Sequence, residues 1–168
     1  MSYRNKTYVA FASEDIRSYR LMEAWRDNQH IDFDFFDAHD LVTALDASLP
    51  ATIRRRLRER LNNTKQVVLL GSDHAKRKGD GRSFLAYEVA TAMELNIPIV
   101  VANLNGSRNI EKHFIPQPLL SAQYFTVSVS FQPGIIRHAL DGYVAEYAAG
   151  NKSGPHYYRS SVYAGLGL

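Results

Sequence analysis

The chain has no cysteine and no long apolar run. Without cysteine, disulfides, thiolate nucleophiles and zinc–thiolate sites are excluded, and the composition fits a reducing cytoplasm. No apolar stretch approaches the roughly 18 residues that a membrane helix needs. The apolar segment within residues 1–15 is too short for a signal peptide. We therefore expect a cytoplasmic protein that does not cross a membrane.

The chain also has little net charge, because 20 basic and 17 acidic residues leave a formal net charge of only +3. The one dense basic run, residues 54–60, is predicted to be a solvated helix face, with no specific nucleic-acid site. Neither G-x-x-x-x-G-K-[ST] nor G-x-G-x-x-G occurs, so P-loop and Rossmann cofactor use have no support. Asp37, His39 and Asp40 have no diagnostic metal spacing, and we interpret them as a polar turn.

What the chain does have is an alternation of β-prone apolar runs and helical patterns, within a length and composition that indicate one domain. Strands are predicted over residues 7–12, 32–36, 66–70, 97–102 and 123–129, and helices over residues 16–28, 50–61, 84–95 and 133–149. This alternation predicts an α/β, flavodoxin-like three-layer sandwich with a central parallel five-stranded sheet in the order 2-1-3-4-5. Residues 1–150 form the predicted domain. Residues 151–168 are a tail, packed on that domain or at an oligomer interface.

The predicted strand order places a crevice at the carboxyl ends of strands 1 and 3, where ligands bind in such sheets. The loops there, residues 11–15 and 71–84, bring Ser13, Ser72 and Glu88 near one another. Glu88 is either a surface acid favoured by the helix dipole or the working group of a pocket. The residues alone favour the surface acid.

Other residues near this crevice also have two interpretations. Ser13 is predicted to cap the first helix, and phosphate binding at the same helix start is the functional alternative. Ser72 and Arg82 either contact a ribose or a diphosphate or lie in solvent, and Arg82 is the better candidate because it is charged. Lys76, Arg77 and Lys78 are interpreted as part of a solvated loop.

Four blocks in a fixed order resemble a known family. They are YVAFASED at residues 8–15, FDA at 36–38, LNNT followed by VVLLGS between residues 61 and 72, and FLAYE at 84–88 followed by IPIVV. With them, residues 7–105 resemble bacterial TIR-like domains, and among these the TIR component, ThsB, of Thoeris anti-phage systems. The resemblance implies cleavage of the nicotinamide–ribose bond in NAD⁺.

The resemblance also implies a site. The family's catalytic glutamate lies four residues after an aromatic residue, usually tryptophan, and here Glu88 follows Phe84 at that spacing. Glu88 is therefore the predicted catalytic residue. The predicted substrate-binding residues are Phe11, Ala12, Ser13, Asp37, Ser72, Arg82 and Phe84. No metal or resident cofactor is expected, since NAD⁺ is the substrate.

Cleavage of this bond develops positive charge on the ribose carbon, which a carboxylate stabilises, as in glycosidases. Nicotinamide leaves without a general acid because it is already cationic, so one glutamate suffices. We predict an enzyme of the NAD⁺ glycohydrolase or ADP-ribosyl cyclase type that makes a cyclic or conjugated ADP-ribose signal for a downstream effector. Self-assembly into a homo-oligomer is compatible with this role. A non-catalytic TIR scaffold and a nucleotide-binding sensor remain open alternatives.

Overall fold

The computed structural model of the chain describes residues 6–35 and 50–168. The strands in these residues are β1 (Thr7–Ala10), β2 (Gln66–Gly71), β3 (Ile99–Asn103), β4 (Thr126–Ser130) and β5 (Pro155–Tyr157). The helices are α1 (Ile16–Asp27), α2 (Pro50–Leu61), α3 (Asp73–Gly79), α4 (Phe84–Glu94), α5 (Gln117–Ser121), α6 (Pro133–Ala149) and α7 (Ser160–Gly165). Across the described residues, no helix combines the length and the apolar character needed to span a membrane.

The five described strands form one parallel sheet in the order β1-β2-β3-β4-β5. Val9 lies opposite Val68, which lies opposite Val100. The predicted α/β flavodoxin-like fold is confirmed. β1 to β4 correspond to the predicted strands 1, 3, 4 and 5, and their relative order is as predicted.

The predicted second strand is wrong as far as the structure describes it. Residues 32–35 belong to no strand, and Phe36 lies outside the described residues. The alternation that prompted the prediction is real, because Phe33 and Phe35 are buried while Asp32 and Asp34 are exposed. The two rings pack edge-on against aromatic side chains of α1. The alternating burial of residues 32–35 therefore comes from packing on α1, and these residues do not pair with a strand of the sheet.

Both faces of the sheet are covered, as an apolar parallel sheet requires. Alternate strand residues point to opposite faces. Tyr8 and Ala10 of β1 pack with buried residues of α2 and α4. Val9, between them, packs with α1 and α6 on the other face. The result is a helix–sheet–helix sandwich with one apolar core on each side.

A short helix, α3, replaces the loop that was predicted after β2. Ser72 begins it, because its Oγ accepts a hydrogen bond from the backbone N–H of Ala75 at 3.0 Å. Asp73 lies in the first turn and three basic residues lie in the last turn, which suits the helix dipole at both ends. The prediction of a loop was wrong because these polar residues were interpreted as solvated chain, and their order along a helix was overlooked.

Candidate active site

A cavity of about 300 Å³ lies at the carboxyl end of β1, between that strand and helices α3 and α4. Its lining combines aromatic rings, three hydroxyl groups, one acid and one base. The lining residues are Tyr8, Val9, Phe11, Ala12, Ser13, Lys78, Ser83, Phe84, Leu85 and Glu88. This is the edge at which parallel α/β sheets bind ligands. The volume is at the lower end of the range for small-molecule sites.

Glu88 enters the cavity from the buried face of α4. Leu85, Glu88, Val89 and Ala92 are all buried, and their spacing defines the stripe of α4 that packs on the sheet. Glu88 thus occupies a core position of an otherwise apolar stripe, with only 5% of its surface exposed. Interpretation as a helix-surface acid is therefore wrong.

The surroundings of Glu88 disfavour its negative charge. The Tyr8 hydroxyl donates a hydrogen bond to Glu88 Oε1 at 2.8 Å, whereas Oε2 has no partner. No cationic side chain in the described ranges forms an ion pair with it. Burial raises the pKa of Glu88 to about 8, although the Tyr8 hydrogen bond opposes this. Burial, followed by the nearby Glu88 charge, also raises the pKa of Tyr8.

The space behind Glu88 is apolar. A void of about 10 Å³ lies there, and beyond Tyr8 and Glu88 its lining consists of Ala10, Val67, Leu69, Val89, Ala92 and Ile99. Such a small apolar space offers too few polar partners to hold a counter-ion. The open cavity is therefore the side from which a cation can reach this carboxyl group.

The start of α4 supplies one wall of the cavity. Ser83 caps the helix, since its Oγ accepts a hydrogen bond from the Ala86 N–H at 3.3 Å and donates one to the Lys78 carbonyl at 2.6 Å. These bonds join the end of α3 to the beginning of α4. Phe84 follows directly and is half-buried against the cavity.

Lys78 places a positive charge at the exposed rim of the cavity. Its Nζ donates to Ser13 Oγ at 3.4 Å and lies 3.5 Å from Glu14 Oε1. The end of α3 that carries Lys78 is held in place by close packing, because a Cβ added at Gly79 would lie only 2.5 Å from Pro116 Cγ. The cavity therefore has a buried acid at its inner end and a base at its rim.

Five of the residues predicted for the site meet at this cavity: Phe11, Ala12, Ser13, Phe84 and Glu88. Ser72 is not part of the lining, because its Oγ donates to Asp15 Oδ2 at 2.5 Å and caps α3. Arg82 is exposed in the turn before α4, also outside the lining. The prediction for Asp37 falls outside the described residues.

The predicted capping role of Ser13 is wrong. The first helical turn at residues 13–15 and α1 both begin without a side-chain cap. The Ser13 hydroxyl donates instead to Glu14 Oε2 at 3.2 Å and accepts from Lys78. Its oxygen therefore belongs to the polar rim of the cavity.

Sequence reasoning missed three polar lining residues, Tyr8, Lys78 and Ser83. Two of them had a signal: a tyrosine inside a buried strand must find a partner for its hydroxyl, and a serine directly before a helix is a favoured N-cap. Lys78 had none, because it lies in the last turn of a helix that was not predicted. Nothing in the sequence shows which of the three neighbouring basic residues reaches the cavity.

The arrangement has the parts needed to act on a cationic aromatic group. The buried Glu88 carboxyl group bonded to Tyr8, the aromatic residues Phe11 and Phe84, and the pair of Lys78 and Ser13 all line one cavity. In a comparison with protein families, the model for Thoeris protein ThsB, TIR-like domain, matches residues 8–109. The chain belongs to this family. The match includes Tyr8, Lys78, Phe84 and Glu88 and ends before β4, so the last two strands of the sheet lie beyond it.

Proposed function

We propose that this TIR-like domain cleaves the bond between nicotinamide and ribose in NAD⁺ and makes a cyclic or conjugated ADP-ribose signal in Thoeris defence. The observation that carries the proposal is the buried carboxyl group of Glu88 at an aromatic-lined cavity. NAD⁺ is the substrate in this proposal, and the reaction takes place in the cytoplasm. A downstream effector senses the product.

The proposed chemistry uses Glu88 as a carboxylate. The bond between the ring nitrogen and the ribose carbon breaks, and its electron pair neutralises the pyridinium nitrogen. The carbon becomes an oxocarbenium ion, which the Glu88 charge stabilises strongly because this carboxyl group is buried. A hydroxyl group then attacks this carbon and transfers its proton to Glu88. No metal is required at any step.

The remaining cavity residues are assigned to binding. Phe84 and Phe11 offer faces for the nicotinamide ring, and Lys78 with Ser13 is placed to bind a phosphate group of the dinucleotide. A cavity of about 300 Å³ offers room for the nicotinamide riboside half, and we assign the adenosine half to the space beyond the rim.

Incubation of the purified protein with NAD⁺ tests the proposal, with nicotinamide and nucleotide products followed by mass spectrometry. Lysate from phage-infected cells is added in a parallel reaction to supply a trigger. We expect nicotinamide release by the wild type and a loss of orders of magnitude in Glu88→Gln, which keeps the size of the side chain. The matched control is Glu94→Gln, which removes an exposed acid from the same helix. NAD⁺ that is bound but intact in both reactions would indicate a nucleotide sensor.

A further inference from the structure

The buried carboxyl group of Glu88 lacks a positive partner within the described protein. Its Oε2 makes no hydrogen bond, and its one bond, from Tyr8, comes from a neutral hydroxyl group. An ionised carboxylate in such surroundings is strongly disfavoured unless a cation is near. Glu88 is therefore stable as a neutral acid while the cavity is empty.

The charged and titratable groups around Glu88 do not remove this requirement. Tyr8 faces it from β1, and Lys78 lines the same cavity from α3. The Lys78 ammonium group lies beside Ser13 and Glu14 at the rim. From α2, Arg60 acts electrostatically on Tyr8. A ligand that brings its own positive charge to the inner cavity supplies what these groups do not.

The lining suits a flat cation. Tyr8, Phe11 and Phe84 line the cavity, and aromatic faces attract cations, most strongly where the contact is desolvated. A pyridinium ring would be attracted both by the aromatic faces and by the carboxylate. A neutral ring of the same shape would gain neither of these attractions and would leave Glu88 protonated.

We propose that Glu88 recognises the positive charge of a pyridinium ring and that binding of this cation releases the proton that Glu88 holds in the empty protein. This inference rests on the proposed function and extends it to substrate selection. The cavity would select oxidised, cationic nicotinamide nucleotides over their reduced, neutral forms. Binding would also generate the carboxylate that the cleavage step needs, and neutral nicotinamide would leave readily once the bond is broken.

A pair of small probes tests the proposal without turnover. 1-Methylnicotinamide carries the pyridinium charge and has no ribose to lose, whereas nicotinamide is its neutral counterpart. Titration calorimetry at pH 7 in PIPES and in ACES buffer measures the protons released, because the two buffers differ in ionisation heat and neither is a phosphate or a simple cation. With the pKa of Glu88 at about 8, we expect release of about 0.9 proton per bound cation. We also expect the cation to bind about tenfold more tightly at pH 7 than at pH 6.

Variants provide the controls. Glu88→Gln should abolish the proton release and the preference for the cation, and Glu94→Gln on the exposed side of the same helix should retain both. The pH dependence of the wild type tests the proposal even if Glu88→Gln fails to fold. Equal binding of both probes, no binding of the cation, or heats that do not depend on the buffer would overturn the inference. NAD⁺ cleavage alongside any of these results would leave the proposed function standing, whereas proton-linked cation binding without cleavage would refute only the function.

Discussion

The protonation of Glu88 has a consequence for stability that does not depend on any ligand. The pKa of this carboxyl group rises from an ordinary value of 4.5 to about 8 on folding. Between these values the folded protein binds more protons than the unfolded chain. The contribution of protonated Glu88 to the free energy of unfolding is therefore fully present below about pH 4.5 and is lost as the pH rises through about 8. At 1.36 kcal/mol per pKa unit, the loss between pH 5 and pH 8 is about 3–4 kcal/mol.

Glu88→Gln should remove this loss, because the amide cannot ionise and its Oε1 still accepts the Tyr8 hydrogen bond. Thermal and urea unfolding of wild type and variant at pH 5 and pH 8 measures the effect. From pH 5 to pH 8, we expect the free energy of unfolding of the variant to gain about 3–4 kcal/mol relative to that of the wild type. For a domain of this size this corresponds to roughly 10 °C in melting temperature. Glu94→Gln, at a side chain that is 62% exposed, should show no such change. Parallel pH profiles of wild type and Glu88→Gln would refute the reasoning.

Three further predictions concern catalysis and binding. The kcat/KM for NAD⁺ should rise with pH and level off above about pH 8, where free Glu88 is ionised, and a flat profile from pH 6 to pH 9 would contradict this. Lys78→Gln should raise KM about tenfold and change kcat little, while Lys76→Gln, on a side chain paired with Asp80, should leave both unchanged. Phe84→Trp should change the unfolding free energy by less than about 1 kcal/mol, because the cavity has room for the larger ring. Phe84→Ala should raise KM, and severe unfolding of the tryptophan variant would show a tight core position instead.

The central sheet was largely predictable from sequence. A continuous apolar run such as residues 66–71, all buried in the structure, identifies a strand that is covered on both faces. The start of α6 at Pro133 and its end at Gly150, where the backbone takes a left-handed conformation, carry strong sequence signals. Helices that bury an apolar stripe and strands that are apolar throughout can thus be predicted from the local sequence alone.

The site was less predictable because its geometry depends on segments with weak patterns. Lys78 reaches the cavity through α3, a seven-residue helix that is too short to show a periodic stripe. The burial of Glu88 followed from its position three residues after Leu85 on the inward face of α4, yet a charged residue in an apolar stripe is easily assigned to the surface. Ser72 is predicted to bind substrate, and the structure places it outside the cavity lining, with its hydroxyl group bonded to Asp15 and to the first turn of α3.

The C-terminal segment was the least predictable part of the sheet. β5 has three residues, none of them fully buried, so no apolar run indicates it. It pairs with β4, and α7 then brings Tyr163 back to the carboxyl end of that strand. The Ser130 N–H donates a hydrogen bond to Tyr163 Oη at 3.1 Å, and the tyrosine is fully buried. This segment lies beyond the family match and still completes the fold.

Removal of the Tyr163 hydroxyl group tests how strongly the C-terminal segment holds the sheet. Tyr163→Phe keeps the ring in the core and leaves the buried Ser130 N–H without its acceptor, which costs about 1–3 kcal/mol. Urea unfolding should therefore shift to a lower midpoint with an unchanged slope. Tyr157→Phe is the matched control, because that tyrosine lies in β5 with 53% of its surface exposed. If both variants unfold like the wild type, the bond from Ser130 contributes nothing measurable, and the ring alone anchors the segment to β4.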